Sequence, residues 1–507
     1  MNVAPGQQHP AGTLVFVTPT TRASLSRQAA AGRAIRLAPG VYAVGASLPP
    51  DKVAYHHRLE IISHVWPSSV LCDRTALFGG EPTQGWMFVC NPDPPRHADL
   101  VLPGLTIAPR IGPGPLPGDM PMPAGLYLAG PVRGLVENAV TIGRPRIGKP
   151  ARAAGLTAVE DRLDEDARTG GAGRIERMLR QLDVIAGQLP PLGVLRVRER
   201  LAALVGTRLS TAPLSSRLTA RLLGQPYDEH RIGMLTRFVA YLQTVPPAVR
   251  PALGGTKRWQ WEPFFEAYFS NFIEGTEFGV EEARRIAVDG EVPASRPEDA
   301  HDVAATFRIA SDPRSSGEVP RSGADLLALL TERHGELMAA REDKHPGSFK
   351  ERANYAGGYA FVDPEAVEGT LLRGFDVLAS VSDPLHRAAS MMLLLTEVHP
   401  FDDGNGRLAR LLANAELSCA GQVRIVIPTI YRNNYLAGLV GVSNGAGHGQ
   451  TLLSVLDFAQ RWTATIDWAS YETAHDDLTS VSAYTDSGVA EASGLRLRLP
   501  APVRLTD

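Results

Sequence analysis

The sequence predicts a multi-domain protein: an N-terminal α+β domain, a helical middle region, and a mainly α core crossed by one β-hairpin. Three observations carry this expectation. At 507 residues the chain exceeds what a single hydrophobic core usually serves, about 250–300 residues. Its texture also changes along its length. Residues 1–145 alternate short β-like runs with turns, 146–254 are helical in pattern, and 255–468 are long helical patterns broken by a β-like stretch near 349–362. Finally, residues 469–507 are rich in Ser, Thr, Ala and Asp, and are expected to form a loosely packed tail.

In the first region "TLVFV" (13–17), "AIRLAPGVYAV" (34–44) and "GWMFVCN" (85–91) read as strands, followed by the Pro/Gly-rich 103–125. A short helix at about 22–31 leads through Gly32 and Arg33 into two β-like arms broken by Pro39-Gly40, the pattern of a hairpin wing. Arg22, Arg27, Arg33 and Arg36 give this segment a local basic face. In the middle region "RIERMLRQLDVIAGQL" and "GVLRVRERLAALVG" are amphipathic helices.

Composition narrows the class. With 44% hydrophobic and 21% charged residues the chain is an ordinary globular protein. A net charge of -3 gives no global attraction to nucleic acid or membrane, though a local basic patch is compatible with it. The N-terminus lacks the basic start and apolar core of a secretory signal, and "MMLLL" (391–395) is too short to span a bilayer. Cys72, Cys90 and Cys419 lack metal-ligand spacing and are expected as small buried residues in a reducing cytoplasm. The expectation is a cytoplasmic protein with no membrane partner.

The chemistry concentrates at 384–420. "PLHRAASMMLLLTEV" begins with Pro384 at a first helical position and is apolar on every face, as a buried central helix should be. Leu408, Leu411, Leu412 and Ala415 then repeat at helical spacing, so a second helix begins near Asn405. "HPFDDGNGR" is therefore a tight connection entering a helix N-terminus, where free N–H groups and a partial positive charge attract anions. Gly404, Asn405 and Gly406 form a phosphate nest without a Cβ in the way. Arg407 and Arg410, one turn apart, can fork onto phosphate oxygens. Asp403 is a hard ligand for Mg²⁺ on a polyphosphate, and His399 can accept a proton. A bare "DGNG" would be a common turn, but the full string points to phosphoryl or nucleotidyl transfer.

"HPFDDGNGRLAR" (399–410) resembles, at every position, the signature of the Fic family, H-P-F-x-[D/E]-G-N-G-R-x-x-R. The resemblance implies a mainly α Fic core and transfer of AMP from ATP to a protein hydroxyl. His399 would then be the base for a target Ser, Thr or Tyr and Asp403 the Mg²⁺ ligand. Gly404, Asn405 and Gly406 would form the anion hole, and Arg407 and Arg410 would grip the β- and γ-phosphates. Upstream, "FFEAYFSNFIEGTEF" (264–278) has helical apolar spacing, with Ser270 and Glu274 on one face and Gly275 as a stop. It resembles the inhibitory helix of Fic enzymes, near 264–275, whose Glu pairs with the second motif Arg, here Arg410. A carboxylate and a phosphate compete for the same guanidinium fork, so such a pairing would displace the γ-phosphate.

"GSFKERANYAGGYAFV" (347–362) lies where Fic proteins carry a hairpin flap, and "IPTIYRNNYLAGLVGVSN" (427–444) resembles the segment that forms their adenine pocket, with Tyr435 and then Asn444 as contact positions. The first region, over about residues 10–145, resembles the winged-helix domain of AbiEi-type antitoxins, which implies DNA binding. Together these resemblances imply an adenylyltransferase using ATP and Mg²⁺, braked by Glu274. Alternatives are a DNA-binding regulator that senses nucleotide, or an enzyme for de-AMPylation or another phosphoryl-linked transfer. A homodimer is compatible with all of them.

Overall fold

The computed structural model describes residues 10–141, 148–206, 214–253, 259–445 and 449–498. The chain divides into two compact units, Met1–Leu222 and Leu223–Asp507.

In the first unit, β1 (Thr13–Phe16), β2 (Ala34–Ala38) and β3 (Val41–Val44) form an antiparallel sheet in the order β1-β3-β2, with helix Arg22–Ala30 between β1 and β2. Gly40, at φ +84°, makes the β2–β3 turn. Leu25 of the helix packs with Ala34 and Tyr42, while Arg22, Arg27, Arg33 and Arg36 are all exposed. The expected helix and hairpin therefore form at the expected residues.

A six-stranded mixed sheet follows, comprising β4 (Val70–Leu71), β5 (Trp86–Asn91), β6 (Leu100–Leu102), β7 (Leu105–Ile111), β8 (Met120–Met122) and β9 (Leu126–Leu128). Their order is β6-β7-β5-β4-β9-β8, with β5 parallel to β7 and β4 parallel to β9. Strand β5 is apolar on both faces because both are covered: Met87 and Val89 enter one core, Phe88 and Cys90 another.

The middle region, 146–254, is not a module of its own. Helices Leu156–Ile185 and Pro191–Leu204 bury Leu163, Leu182, Val197 and Leu201 against Val132, Leu135 and Val136 of the first unit. Helix Glu229–Thr244 instead buries Met234, Leu235, Phe238 and Leu242 in the core of the second unit. Each helix follows its apolar stripe, and amphipathicity alone does not say which core that stripe meets.

The second unit is built around helix Pro384–Val398, capped by Asp383, whose Oδ1 accepts the His386 N–H at 3.0 Å. Leu385, Ala388, Met391, Leu393, Leu395 and Val398 are buried on its several faces, as its all-round apolar sequence requires. It packs against the motif helix, Asn405–Cys419. The upstream helix, Glu262–Ile273, inserts Phe264, Phe265 and Phe269 into an aromatic core with Trp462, Trp468 and Tyr471. A short hairpin, β10 (Tyr355–Ala356) and β11 (Tyr359–Ala360), turns at Gly357-Gly358 inside the stretch read as a flap.

Two expectations are corrected here. The segment 469–507 is not loose over its described part. It holds helices Tyr471–Ser480 and Ser487–Ser493, capped by Ser470 and Asp486. Tyr471, Ala474, Leu478 and Val481 recur at steps of three and four and are buried in the aromatic core. Cys72 and Cys90 are buried as expected, but Cys419, at the last turn of the motif helix, is exposed. Among the described residues, no helix is long and apolar enough to cross a membrane. Replacing fully buried Leu478 by Ala is expected to cost about 2–5 kcal/mol in urea unfolding of the second unit. A loss under about 1 kcal/mol would mean that the segment contributes little to the core.

Candidate active site

The site forms where the central helix stops. His399 caps it in the left-handed conformation, φ +51° and ψ +61°, and turns the chain sharply out of the core. Gly404, at φ +76°, then starts the motif helix. Between them Asn405 closes the loop on itself: its Oδ1 accepts the Phe401 N–H at 2.9 Å and its Nδ2 donates to the Phe401 carbonyl at 2.8 Å. The Asn405 side chain is thus spent inside the loop, which leaves the backbone of Gly404, Asn405 and Gly406 to form the nest.

His399 is prepared as an acceptor. Its Nδ1 lies 3.3 Å from the Thr396 carbonyl, which can only accept, so the ring proton sits on Nδ1 and Nε2 keeps its lone pair. Phe361 stacks on the imidazole at 3.9 Å. Burial disfavours the imidazolium and brings the pKa down to about 4, so the ring is neutral at pH 7.

Sequence reasoning missed His334. It stacks on Phe401 at 3.7 Å, accepts the Gly347 N–H on Nδ1 at 3.0 Å, and donates from Nε2 to the Asp403 carbonyl at 3.1 Å. It therefore pins the loop that carries Asp403, and burial lowers its pKa to about 4. No local pattern announces it, because it stands on a helix about seventy residues upstream.

The upstream helix lies on the motif helix, with Ser270 and Glu274 both turned toward Arg410. Arg410 is buried; its Nε donates to Ser270 Oγ at 2.9 Å and its Nη2 to the Ser270 carbonyl at 2.9 Å and to Glu274 Oε1 at 2.6 Å. Glu274 also covers the nest, since a Cβ on Gly406 would stand 2.1 Å from its Oε1. Further along, Glu266 Oε1 accepts from Asn414 Nδ2 at 2.9 Å.

Arg407 is placed differently from the expectation. Its Nη1 pairs with Asp302 at 2.6 Å and donates to Asn271 Oδ1 at 3.3 Å, so its fork is engaged behind the loop. Asp302 is also paired with Arg341 at 2.9 Å. A one-turn offset put both arginines on a common face, but it could not reveal a buried carboxylate waiting for one of them.

A cleft of about 430 Å³ opens in front of these groups, a size that suits a nucleotide. Glu274, His399, Gly406, Arg410 and Tyr435 line one part. Leu436, Leu439, Val440, Ser443 and Asn444 also line it, and Ala356, Gly358 and Tyr359 of the hairpin border it. Tyr435 lies beneath the Arg410 guanidinium, 5.9 Å from its ring centre. Asp403 stands at the loop with its side chain partly exposed, and its Oδ1 accepts the Gly404 N–H at 2.6 Å. One carboxylate with an open oxygen beside a phosphate nest fits Mg²⁺ held chiefly by substrate phosphates and water. Among the described residues, only Cys72, Asp73 and Glu137 bring three metal-ligand groups together. There Arg110 and Arg152 already neutralise Asp73, and Arg110 and Arg133 neutralise Glu137.

Residues 326–417, which include the whole loop and the motif helix nearly to its end, match the model of the Fic/DOC family. The chain carries a Fic domain. It is 28% identical over 221 residues to the protein adenylyltransferase Fic of Drosophila willistoni, covering 42% of either chain. Over 184 residues it is 29% identical to the protein adenylyltransferase fic-1 of Caenorhabditis elegans, covering 35% of this chain and 36% of that one. The chain thus spans less than half the length of these relatives. Among solved structures it is similar to a Fic-domain-containing signaling protein from Bacteroides thetaiotaomicron, at 21% identity and a TM-score of 0.36, covering 48% of this chain and 97% of that one.

The two depressed histidines of the Fic domain predict how its stability depends on pH. An unfolded chain takes up protons on His334 and His399 below about 6.5, whereas the folded chain resists until about 4. The unfolded state therefore binds more protons in this window. The stabilisation is complete above pH 6.5 and is lost as pH falls to about 4. Thermal melts should show this decline, and His399→Ala should make it shallower. An identical pH profile in that variant would contradict the assignment.

Proposed function

We propose that the Fic domain transfers AMP from ATP to a Ser, Thr or Tyr hydroxyl of a target protein, and that Glu274 holds it in check. The observation that carries this is the Glu274 carboxylate, paired with Arg410 at 2.6 Å and pressed against Gly406, where a phosphate of ATP would otherwise sit. The similarity to curated protein adenylyltransferases supports it.

In this reading His399 Nε2 accepts the hydroxyl proton as the target oxygen bonds to the α-phosphorus. The bond from that phosphorus to the bridging oxygen breaks and pyrophosphate leaves, so atoms and charge balance. The nest at Gly404–Gly406 and Arg410 stabilise charge on the phosphates. Asp403 would hold Mg²⁺, which supplies charge neutralisation. Asn405 acts by closing the loop and Arg407 by bracing it. Tyr435 and Asn444 line the nucleotide cleft, and Ser270 keeps Arg410 aligned.

A second reading concerns the first unit. Four exposed arginines on a helix and hairpin, Arg22, Arg27, Arg33 and Arg36, support DNA binding as the use of that region. A promoter fragment shifted by the full chain but not by its Arg27→Ala/Arg33→Ala variant would sustain it. Equal shifts would count against it.

The main test is Glu274→Gly. Labelling with α-³²P-ATP should rise on the order of tenfold or more, equivalent to removing about 1.4 kcal/mol of competition. His399→Ala should abolish it. Labelling unchanged by Glu274→Gly would remove the brake from the proposal.

A further inference from the structure

The base stands in a backbone conformation that residues with a Cβ avoid. Such a geometry persists only where surrounding contacts over-determine it. Those contacts come from residues 350–361, outside the signature string. The Lys350 N–H donates to the Pro400 carbonyl at 2.9 Å, and its Nζ donates to the Val398 carbonyl at 3.3 Å. Asn354 Nδ2 donates to the carbonyls of His399 at 3.3 Å and Phe401 at 3.0 Å. Lys350 Nζ also donates to Asn354 Oδ1 at 2.6 Å, which turns the amide N–H groups toward the loop. The carbonyls of Val398, His399, Pro400 and Phe401 are thus each held by one of two side chains or their backbone.

Lys350 is only 3% exposed, and the carboxylates of Asp363 and Asp402 act on its charge. Its ammonium sits against the carbonyl end of the central helix, where the helix dipole favours a cation. Burial still pulls its pKa down to about 8, so a charge is kept here against desolvation. The same segment roots the hairpin. The Phe361 N–H donates to the Asn354 carbonyl at 3.2 Å, and the Phe361 ring covers the His399 imidazole.

We propose that Lys350 and Asn354 are positioning residues that hold His399 in its left-handed geometry and join the hairpin root to the base as one mechanical unit. The proposal rests on the reading of His399 as the base. The hairpin then aims Nε2 as well as bordering the cleft, and the signature string alone does not suffice to orient it.

Crystal structures of Asn354→Ala and Lys350→Met test the hold itself, whatever group the site transfers. His399 should leave the left-handed region in at least one of them. If it keeps its present φ in both, the proposal is overturned. In the Glu274→Gly background, kcat for AMP transfer should fall by about ten- to a hundredfold, as small misplacements of a reacting group do. ATP affinity measured by calorimetry should stay within about twofold. An unchanged kcat, or an affinity that falls in step with kcat, overturns the positioning role. Should Lys350→Met fail to fold, Asn354→Ala decides alone. Absence of any transfer by Glu274→Gly itself would count against the adenylyltransferase reading, while the crystal structures would still judge the hold.

Discussion

The second unit depends on how a buried guanidinium is satisfied. Arg410 lies in a low-dielectric environment where an unpaired cation would be costly, so something anionic or strongly polar must face it. Ser270 supplies two acceptors through its hydroxyl and its carbonyl, and these do not depend on Glu274. Glu274 takes a remaining direction of the fork. In the function proposed above, a phosphate would replace the carboxylate there without leaving the arginine stranded. In that reading the arrangement separates what must be permanent, the orientation of Arg410, from what would change, the identity of its anion.

The same division of labour runs through the loop. Two groups that resemble ligands by sequence prove to be braces: Asn405 closes the turn, and Arg407 is tied to Asp302 and Asn271; His334, which no pattern announces, pins the Asp403 carbonyl. The groups around the nest that face the cleft are His399, Gly406, Arg410 and Tyr435, with Glu274 among them. Preorganisation explains the braces, because a reacting group fixed to within a fraction of an ångström needs several neighbours to fix it.

Legibility in the sequence followed the range of the interactions. The string 399–410 was readable because a helix end and a glycine-lined turn are local, and Pro384 and Asn405 mark helix starts where expected. Ser270 and Glu274 were readable through their four-residue spacing together with the resemblance. The hairpin of residues 34–44 announced itself through Pro39-Gly40. What was not readable lies through space. Asp302, His334, Lys350 and Asn354 reach the loop from elements whose own patterns say only that they are helix or turn. The tail misled because small and polar residues dominate its composition, although Leu478 and its neighbours hold one helical face in the core.

The contacts between the upstream helix and the motif helix step by four along both: Glu266 meets Asn414, Ser270 meets Arg410, and Glu274 reaches Arg410 and Gly406. The helices therefore run antiparallel in a fixed register, and only the last rung touches the nest. The first two rungs anchor the helix as part of the fold. In the function proposed above, release would need no helix to detach, because Glu274 stands at the C-cap of the helix and only its side chain would have to turn away. For descendants of this sequence the consequence is evolutionary. In that proposed function, control of the cleft would be lost or restored at one codon, with the packing of the second unit left as it is.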